Sequence, residues 1–86
     1  MEILKVSSKS LPNSVAGAIA GIIREEGCVE VQAVGAGATN QAVKSVAVAR
    51  NYLEEDCEIV CIPYFANVEI DGESRTAIRL VVKNSK

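Results

Sequence analysis

Apolar residues follow a helical period in two segments of this chain and strand-like patterns in the segments around them. In the first helical segment they recur at the i, i+3, i+4, i+7 and i+8 positions of one helix face: Val15, Ala18, Ile19, Ile22 and Ile23. A second stripe consists of Ala42, Val43, Val46, Ala49 and Leu53. The two stripes predict a helix over residues 11–26 and a second helix that reaches about residue 53.

Residues with capping side chains precede both helical segments. The hydroxyls of Ser8 and Ser10 are expected to cap the first helix, and Thr39 or Asn40 is expected to cap the second. The acidic residues Glu54, Glu55 and Asp56 are expected to end the second helix.

The remaining segments have the composition of strands. Residues 2–7 alternate in polarity, and residues 29–34 are rich in valine. Residues 57–63 are apolar on both faces, so we expect a central strand or one covered on both sides, with an irregularity at Pro63 before the chain continues extended to residue 70. The dipeptide Asp71-Gly72 is typical of a hairpin turn, which leads into a last strand over residues 75–83.

The order β-α-β-α-β-β predicts a mixed four-stranded sheet with both helices on one face, an α/β fold of the α+β two-layer sandwich type. With 86 residues, the chain is expected to form a single domain over residues 1–86. Aromatic residues make up 3% of it, so the core must consist of small side chains. A core of this size is marginal, and we expect a homo-oligomer, a dimer or a tetramer.

Composition excludes several classes of enzyme. The chain has no His and no Trp, which rules out Ser-His-Asp triads and His-containing zinc sites. The cysteines, Cys28, Cys57 and Cys61, are odd in number, and we expect buried, reduced thiols rather than a disulfide framework. The most apolar window, residues 11–23, is shorter than the roughly 20 residues that cross a bilayer. We therefore expect a non-enzymatic cytoplasmic protein without metal, cofactor or membrane segment.

The connection Gly35-Ala36-Gly37-Ala38 is the best candidate for binding an anion. It joins a strand to a helix start, where free backbone N–H groups and the helix dipole favour a phosphate. Asn40 replaces the third glycine of a dinucleotide-binding fingerprint, so that motif is absent. The alternative is a tight connection that lets the second helix pack closely. Lys44, on the polar helix face with Gln41, could extend the anion-binding surface.

A second candidate surrounds Lys9, which Ser8 and Ser10 flank and Asn13 follows. A cation, hydroxyls and an amide together suit phosphate oxygens, although ordinary helix capping beside a solvated lysine is the alternative.

Basic residues also alternate on the last strand, where Arg75 and Arg79 share a face and could form a stripe with Lys83 or Lys5. Surface charge or an ion pair between subunits is the alternative. The adjacent Tyr64 and Phe65 could stack on unpaired bases, but they point to opposite faces, and we expect at least one of them in the core.

Two glycines lie one helical turn apart in the first helix. Each of Gly17 and Gly21 costs about 1 kcal/mol relative to alanine, so we expect helix packing within or between subunits to compensate.

Three segments carry a family resemblance: Ser10-x-Pro12-Asn13-Ser14-Val15-Ala16-Gly17-Ala18, residues 30–44, and Cys61-Ile62-Pro63 followed by residues 70–73. They closely resemble the stage V sporulation protein S (SpoVS) family over nearly the whole chain. The resemblance implies a bacterial protein of the Alba-like fold that acts in sporulation or related developmental control and binds nucleic acid.

The chain is also similar to Alba chromatin proteins in Val31-x-Ala33-x-Gly35-x-x-Ala38-x-x-Ala42-Val43. Lys9 and Pro12 are similar to the lysine and proline before the first helix of those proteins, but here Ser10 and Leu11 separate them. In place of the long basic hairpin of Alba proteins we expect a short acidic tip over residues 69–75.

Charge is the main constraint on nucleic-acid binding, since nine Lys and Arg face eleven Asp and Glu. Affinity must then come from charge segregated onto one surface. The first hypothesis is a homo-oligomer that binds DNA or RNA through Ser8, Lys9, Ser10, Asn13, Gly35, Gly37, Asn40, Gln41, Lys44, Arg75 and Arg79. The alternatives are a protein-interaction scaffold that uses the mixed sheet face, and a sensor of a small anionic metabolite at the glycine connection.

Overall fold

Two helices and four strands alternate along the chain in the computed structural model, which describes residues 1–53, 55 and 57–86. The elements are β1 (Ile3–Val6), α1 (Pro12–Glu26), β2 (Cys28–Ala33), α2 (Ala36–Tyr52), β3 (Ile59–Ile70) and β4 (Glu73–Asn84). The sheet order is β1-β2-β4-β3, with β1 parallel to β2 and the other pairs antiparallel. This confirms the predicted element order and mixed sheet. Glu54 and Asp56, part of the expected acidic end of α2, lie outside the described residues.

The core joins one face of the sheet to both helices and consists of small and β-branched side chains. It contains Val6, Ala16, Ile19, Ala20, Ile23, Val29, Val31, Ala33, Ala38, Ala42, Ala49, Leu53, Leu80 and Val82. Alanines supply most of the helix contribution, which lets the helices lie close to the strands. Burial of each valine or isoleucine stabilises the fold by about 1.5–3 kcal/mol.

The expected hydroxyl caps are wrong for both helices. The N-cap of α1 is Leu11, in an extended conformation, and that of α2 is Gly35, with φ 89°. The second helix therefore begins four or five residues earlier than expected, at Ala36. Thr39 lies inside its first turn, where its hydroxyl donates a hydrogen bond to the Gly35 carbonyl at 2.8 Å. The left-handed φ of Gly35 allows the chain to turn directly from β2 into α2.

The apolar stripe of α2 also differs from the expectation. Val43 is 54% exposed, whereas Ala38 and Ser45 are buried together with Ala42 and Ala49. The Ser45 hydroxyl is satisfied within the helix, because it donates a hydrogen bond to the Gln41 carbonyl at 2.7 Å. Small residues occupy most of the packed face, and of the predicted stripe only Val43 lies outside it.

Gly17 and Gly21 do not make the expected packing contact with the part of the subunit that the structure describes. Among the described atoms, a Cβ placed at either glycine would have no neighbour within 4 Å. Packing of these glycines between subunits stays a prediction.

The prediction of a central third strand interrupted at Pro63 is wrong. Strand β3 lies at the edge of the sheet and runs without a break, with Pro63 opposite Leu80. An edge strand tolerates proline because its outer side needs no N–H donor. The apolar residues on the two faces of β3 are therefore exposed and not covered by other elements: Ile62 is 47% and Phe65 75% exposed.

The hairpin is longer than the short tip expected from the sequence. Strands β3 and β4 have 12 residues each and pair from Ile59–Asn84 to Ile70–Glu73. Strand β2 pairs only with residues 78–83 of β4, so residues 66–77 extend beyond the rest of the sheet as an arm. The turn itself is as predicted. Asp71 and Gly72 have φ of 51° and 78°, which suits a tight hairpin.

Candidate functional site

A tight turn built from serines connects β1 to α1. The Ser7 N–H donates to the Ser10 Oγ at 2.9 Å, and the Ser10 N–H donates to the Ser7 carbonyl at 3.1 Å. The Lys9 N–H donates to the Ser7 Oγ at 3.2 Å. The serine hydroxyls thus stabilise the turn instead of capping the helix, and Ser8 and Lys9 lie exposed at its tip.

The turn lies directly against the start of α2. The Gln41 Nε2 donates a hydrogen bond to the Ser10 carbonyl at 2.9 Å, although 31 residues separate the two in sequence. A Cβ at Gly37 would lie 3.0 Å from the Ser8 Cβ, so glycine permits this close approach. The two anion-binding candidates from the sequence therefore form one surface, where the parallel strands β1 and β2 end.

We call this the loop surface: Ser8, Lys9, Ser10, Asn13, Gly35, Gly37, Asn40, Gln41 and Lys44. Both helices begin here, so the unpaired N–H groups of their first turns and the positive ends of their dipoles lie on the same side of the molecule. The described first turns contain no acidic residue. Asn40 and Lys44 are exposed one turn apart on α2 and extend the surface along that helix.

The two arginines among the predicted site residues lie elsewhere. Both belong to the open face, which we define as the sheet face turned away from the helices. Arg75 is exposed on the arm, and Arg79 is half-buried beside β2. Lys5 and Lys83 also lie on the open face, but near different ends of β2, opposite Gln32 and Cys28, so a continuous basic stripe stays a prediction. The structure does not bring either arginine into the loop surface.

A polar row crosses the open face and includes a residue that the sequence analysis missed. Register places Lys5 beside Gln32, Gln32 beside Arg79, and Arg79 beside Tyr64. The Arg79 Nε donates a hydrogen bond to the Gln32 Oε1 at 2.8 Å. Gln32 was overlooked because it alternates with buried valines as any solvent-facing strand residue does. Its partner Arg79 is 47 residues away in sequence and becomes a neighbour only through the pairing of β2 with β4.

The two adjacent aromatic residues point to opposite faces, as predicted, but neither is in the core. Tyr64 is 39% exposed on the open face, and its hydroxyl donates a hydrogen bond to Glu30. Phe65 is largely exposed on the other face of β3. The expectation that one of them is buried is wrong, because β3 is an edge strand beyond the cover of the helices.

The cysteines are less buried than expected. Cys28 and Cys57 are half-buried and Cys61 is exposed on β3. Partial burial of its sulfur nevertheless raises the pKa of the Cys61 thiol, because burial disfavours the thiolate.

In the part of the chain that the structure describes, no helix is long and apolar enough to cross a bilayer.

The comparison with protein families identifies the chain. The family model of stage V sporulation protein S (SpoVS) matches residues 2–85, a range that contains every strand and helix as well as the loop surface and the open face. The chain therefore belongs to the stage V sporulation protein S family and is a sporulation-related protein.

Proposed function

We propose that the protein binds DNA or RNA through the loop surface and controls sporulation by binding rather than by catalysis. The observation that carries the proposal is the contact between the two loops, in which Ser8 lies against Gly37 and Gln41 is hydrogen-bonded to Ser10. This contact joins a lysine, hydroxyls, amides and two helix N-termini into one surface. We further propose that the protein is bacterial, forms homo-oligomers and acts in the cytoplasm.

The chemistry of the loop surface suits phosphate rather than base edges. Backbone N–H groups at helix starts, the Lys9 ammonium and the Asn13 amide are all donors to phosphate oxygens. Such contacts fix a nucleic-acid backbone in place but do not distinguish sequences. We therefore expect binding with little sequence preference.

Because the net charge of the chain is negative, binding to phosphate must depend on how charges are distributed over its surface. The chain has a net charge of −2, so attraction to phosphate arises only where cations are segregated from carboxylates. An oligomer would present two or more Lys9 turns to one nucleic acid, and each phosphate contact would contribute about −0.9 to the log–log salt slope on a duplex.

Fluorescence anisotropy of labelled duplex DNA, single-stranded DNA and RNA tests the proposal, at several salt concentrations and with the oligomeric state measured in parallel. We expect affinity to fall with salt. Lys9→Ala should weaken binding to all sequences alike and reduce the salt slope by about 1 per bound subunit. Lys83→Ala is the matched control, because Lys83 is an exposed lysine at the other end of the sheet. Absence of binding at low salt contradicts the proposal.

A protein-interaction module is the second candidate, and the exposed apolar side chains of β3 favour it. Val60, Ile62 and Phe65 are exposed on an edge strand, where a partner chain finds both apolar side chains and unpaired backbone groups. Protein association through this strand would persist at salt concentrations that dissociate a phosphate complex. Salt response therefore separates the two candidates.

A further inference from the structure

Two clefts share lining residues beneath the arm, one on the open face and the other where β1 and β2 end. One has a volume of about 440 Å³ and reaches Arg79, and the other has a volume of about 460 Å³ and reaches Ser8 and Gly37. Lys5, Gln32 and Ile70 line both clefts. Since Ile70 is next to the hairpin turn, the arm must bend over the open face. We call the two clefts together the trough.

The floor of the trough carries two cations around a buried amide. Lys5 and Arg79 flank Gln32, which is 9% exposed, so their Cα atoms are two strand spacings or roughly 10 Å apart. The hydrogen bond from the Arg79 Nε to Gln32 orients the guanidinium group. A guanidinium has five N–H donors, so four of them remain for a ligand.

Apolar side chains line two sides of the trough together with Asn67 and Glu69, and an aromatic ring lies beside the trough, next to Arg79. Ile3 and Ile70 are partly exposed on opposite sides of the cationic row. Tyr64 follows Arg79 in the same row, and the hydrogen bond from its hydroxyl to Glu30 holds the ring in place. A phenol ring beside a guanidinium plane is a surface on which an unpaired base stacks.

The described residues that line the trough include two cations, Lys5 and Arg79, and one carboxylate, Glu69, a balance that favours an anionic ligand. A second carboxylate, Glu30, lies beside the trough, where it accepts the Tyr64 hydrogen bond and opposes an anion. Each cleft has the volume of a site for one small ligand, so we expect it to hold one nucleotide of a strand. A duplex keeps its bases paired and stacked inside and cannot place one on Tyr64.

We propose that the trough binds one unpaired strand of nucleic acid. Phosphate groups lie at Lys5 and Arg79, a base stacks on Tyr64, and the strand continues past Ile70 to the loop surface at Ser8 and Gly37. This inference rests on the proposed nucleic-acid binding and deepens it, since it specifies an unpaired strand and a second contact region.

Binding of a single-stranded 12-nucleotide RNA, the DNA of the same sequence and the matching DNA duplex tests the inference by anisotropy. Arg79→Gln should weaken single-strand binding about ten-fold and leave duplex binding nearly unchanged. The matched control is Lys83→Gln, which removes one positive charge from the same strand and face outside the trough, and it should leave both affinities unchanged. If Arg79→Gln lowers stability, Lys5→Gln, at an exposed position, provides the same test.

A second measurement separates stacking from charge. Tyr64→Leu should weaken single-strand binding about ten-fold without changing its salt slope, whereas Arg79→Gln should reduce the slope by about 0.7. The chain has no tryptophan and two tyrosines, so tyrosine fluorescence reports the ring directly. A bound strand should quench it in the wild type and in Tyr52→Phe, but not in Tyr64→Leu.

The outcomes distinguish this inference from the proposed function. If Lys9→Ala weakens binding while Arg79→Gln, Lys5→Gln and Tyr64→Leu bind single strands as the wild type does, the trough is not the site and the loop surface remains. If the wild type binds neither single strands nor duplex at low salt, both proposals fail. Equal affinity of the wild type for duplex and single strand also overturns the inference.

Discussion

The two faces of the sheet are made from the same strands but differ in burial and in polarity. The face under the helices carries Val29, Val31 and Val82, which are fully buried in the hydrophobic core. The open face carries a polar row and partly exposed isoleucines. Because side chains alternate along a strand, one set of residues holds the fold together while the next is free to contact a ligand. Stability and binding should therefore respond to different substitutions.

The largest expected effect is in the core. Ile19→Ala removes a fully buried side chain between α1 and the sheet, and should lower the free energy of unfolding by about 2–5 kcal/mol. Ile62→Ala, on the open face, should change it by about 0.5 kcal/mol or less. Urea denaturation measures both variants. Similar losses would show that the open face is covered in solution, as it would be in an oligomer.

A second prediction concerns glycines that lie in helices but have different surroundings. Gly37→Ala places a Cβ against the Ser8 Cβ, which the hydrogen-bonded serine turn holds in place, so we expect a net loss of about 1 kcal/mol and weaker nucleic-acid binding. Gly21→Ala has open space within the subunit and should stabilise α1 by about 0.5–1 kcal/mol. Thermal melting and anisotropy measure the two variants.

The glycine comparison also tests packing between subunits. If Gly21→Ala lowers the oligomer mass in sedimentation velocity, the two glycines of α1 lie in an intersubunit contact. An unchanged mass, together with increased stability, would place them at a free surface.

A third prediction concerns the edge strand. Phe65→Ser should leave monomer stability within about 0.5 kcal/mol, because the ring is 75% exposed. If β3 forms the subunit contact, the same substitution should shift the sedimentation coefficient toward that of the monomer. Val43→Ser, which removes an exposed apolar side chain from α2, is the control and should leave the mass unchanged.

The smallest effect concerns Cys61. Its pKa is higher in the folded chain than the usual 9.0, because burial disfavours the thiolate. Below that pH the thiol is protonated in both states and has no effect. As the pH rises above it, the unfolded state loses its proton first, and folding becomes less favourable. Cys61→Ser should therefore flatten the decline in melting temperature above pH 9 slightly. An identical pH profile would contradict this.

The sequence was sufficient for features that depend on local periodicity. The order of elements and the turn at Asp71-Gly72 follow from spacing and turn chemistry. The position of β3 could not be predicted, because apolar residues on both faces fit a covered strand and an exposed edge equally well. The link between Arg79 and Gln32 depends on register between distant strands, which no local pattern encodes.

Pro63 has a consequence for solubility. An exposed apolar edge strand of 12 residues is a template for the growth of intermolecular β-structure. Pro63 lies in the middle of that edge and has no N–H to offer an incoming strand, so continuous pairing with another chain is interrupted there. We expect Pro63→Val to form thioflavin-positive aggregates on heating sooner than the wild type, and equal lag times would contradict this. The same proline that fits an edge would thus limit fibril formation where the apolar surface is most exposed.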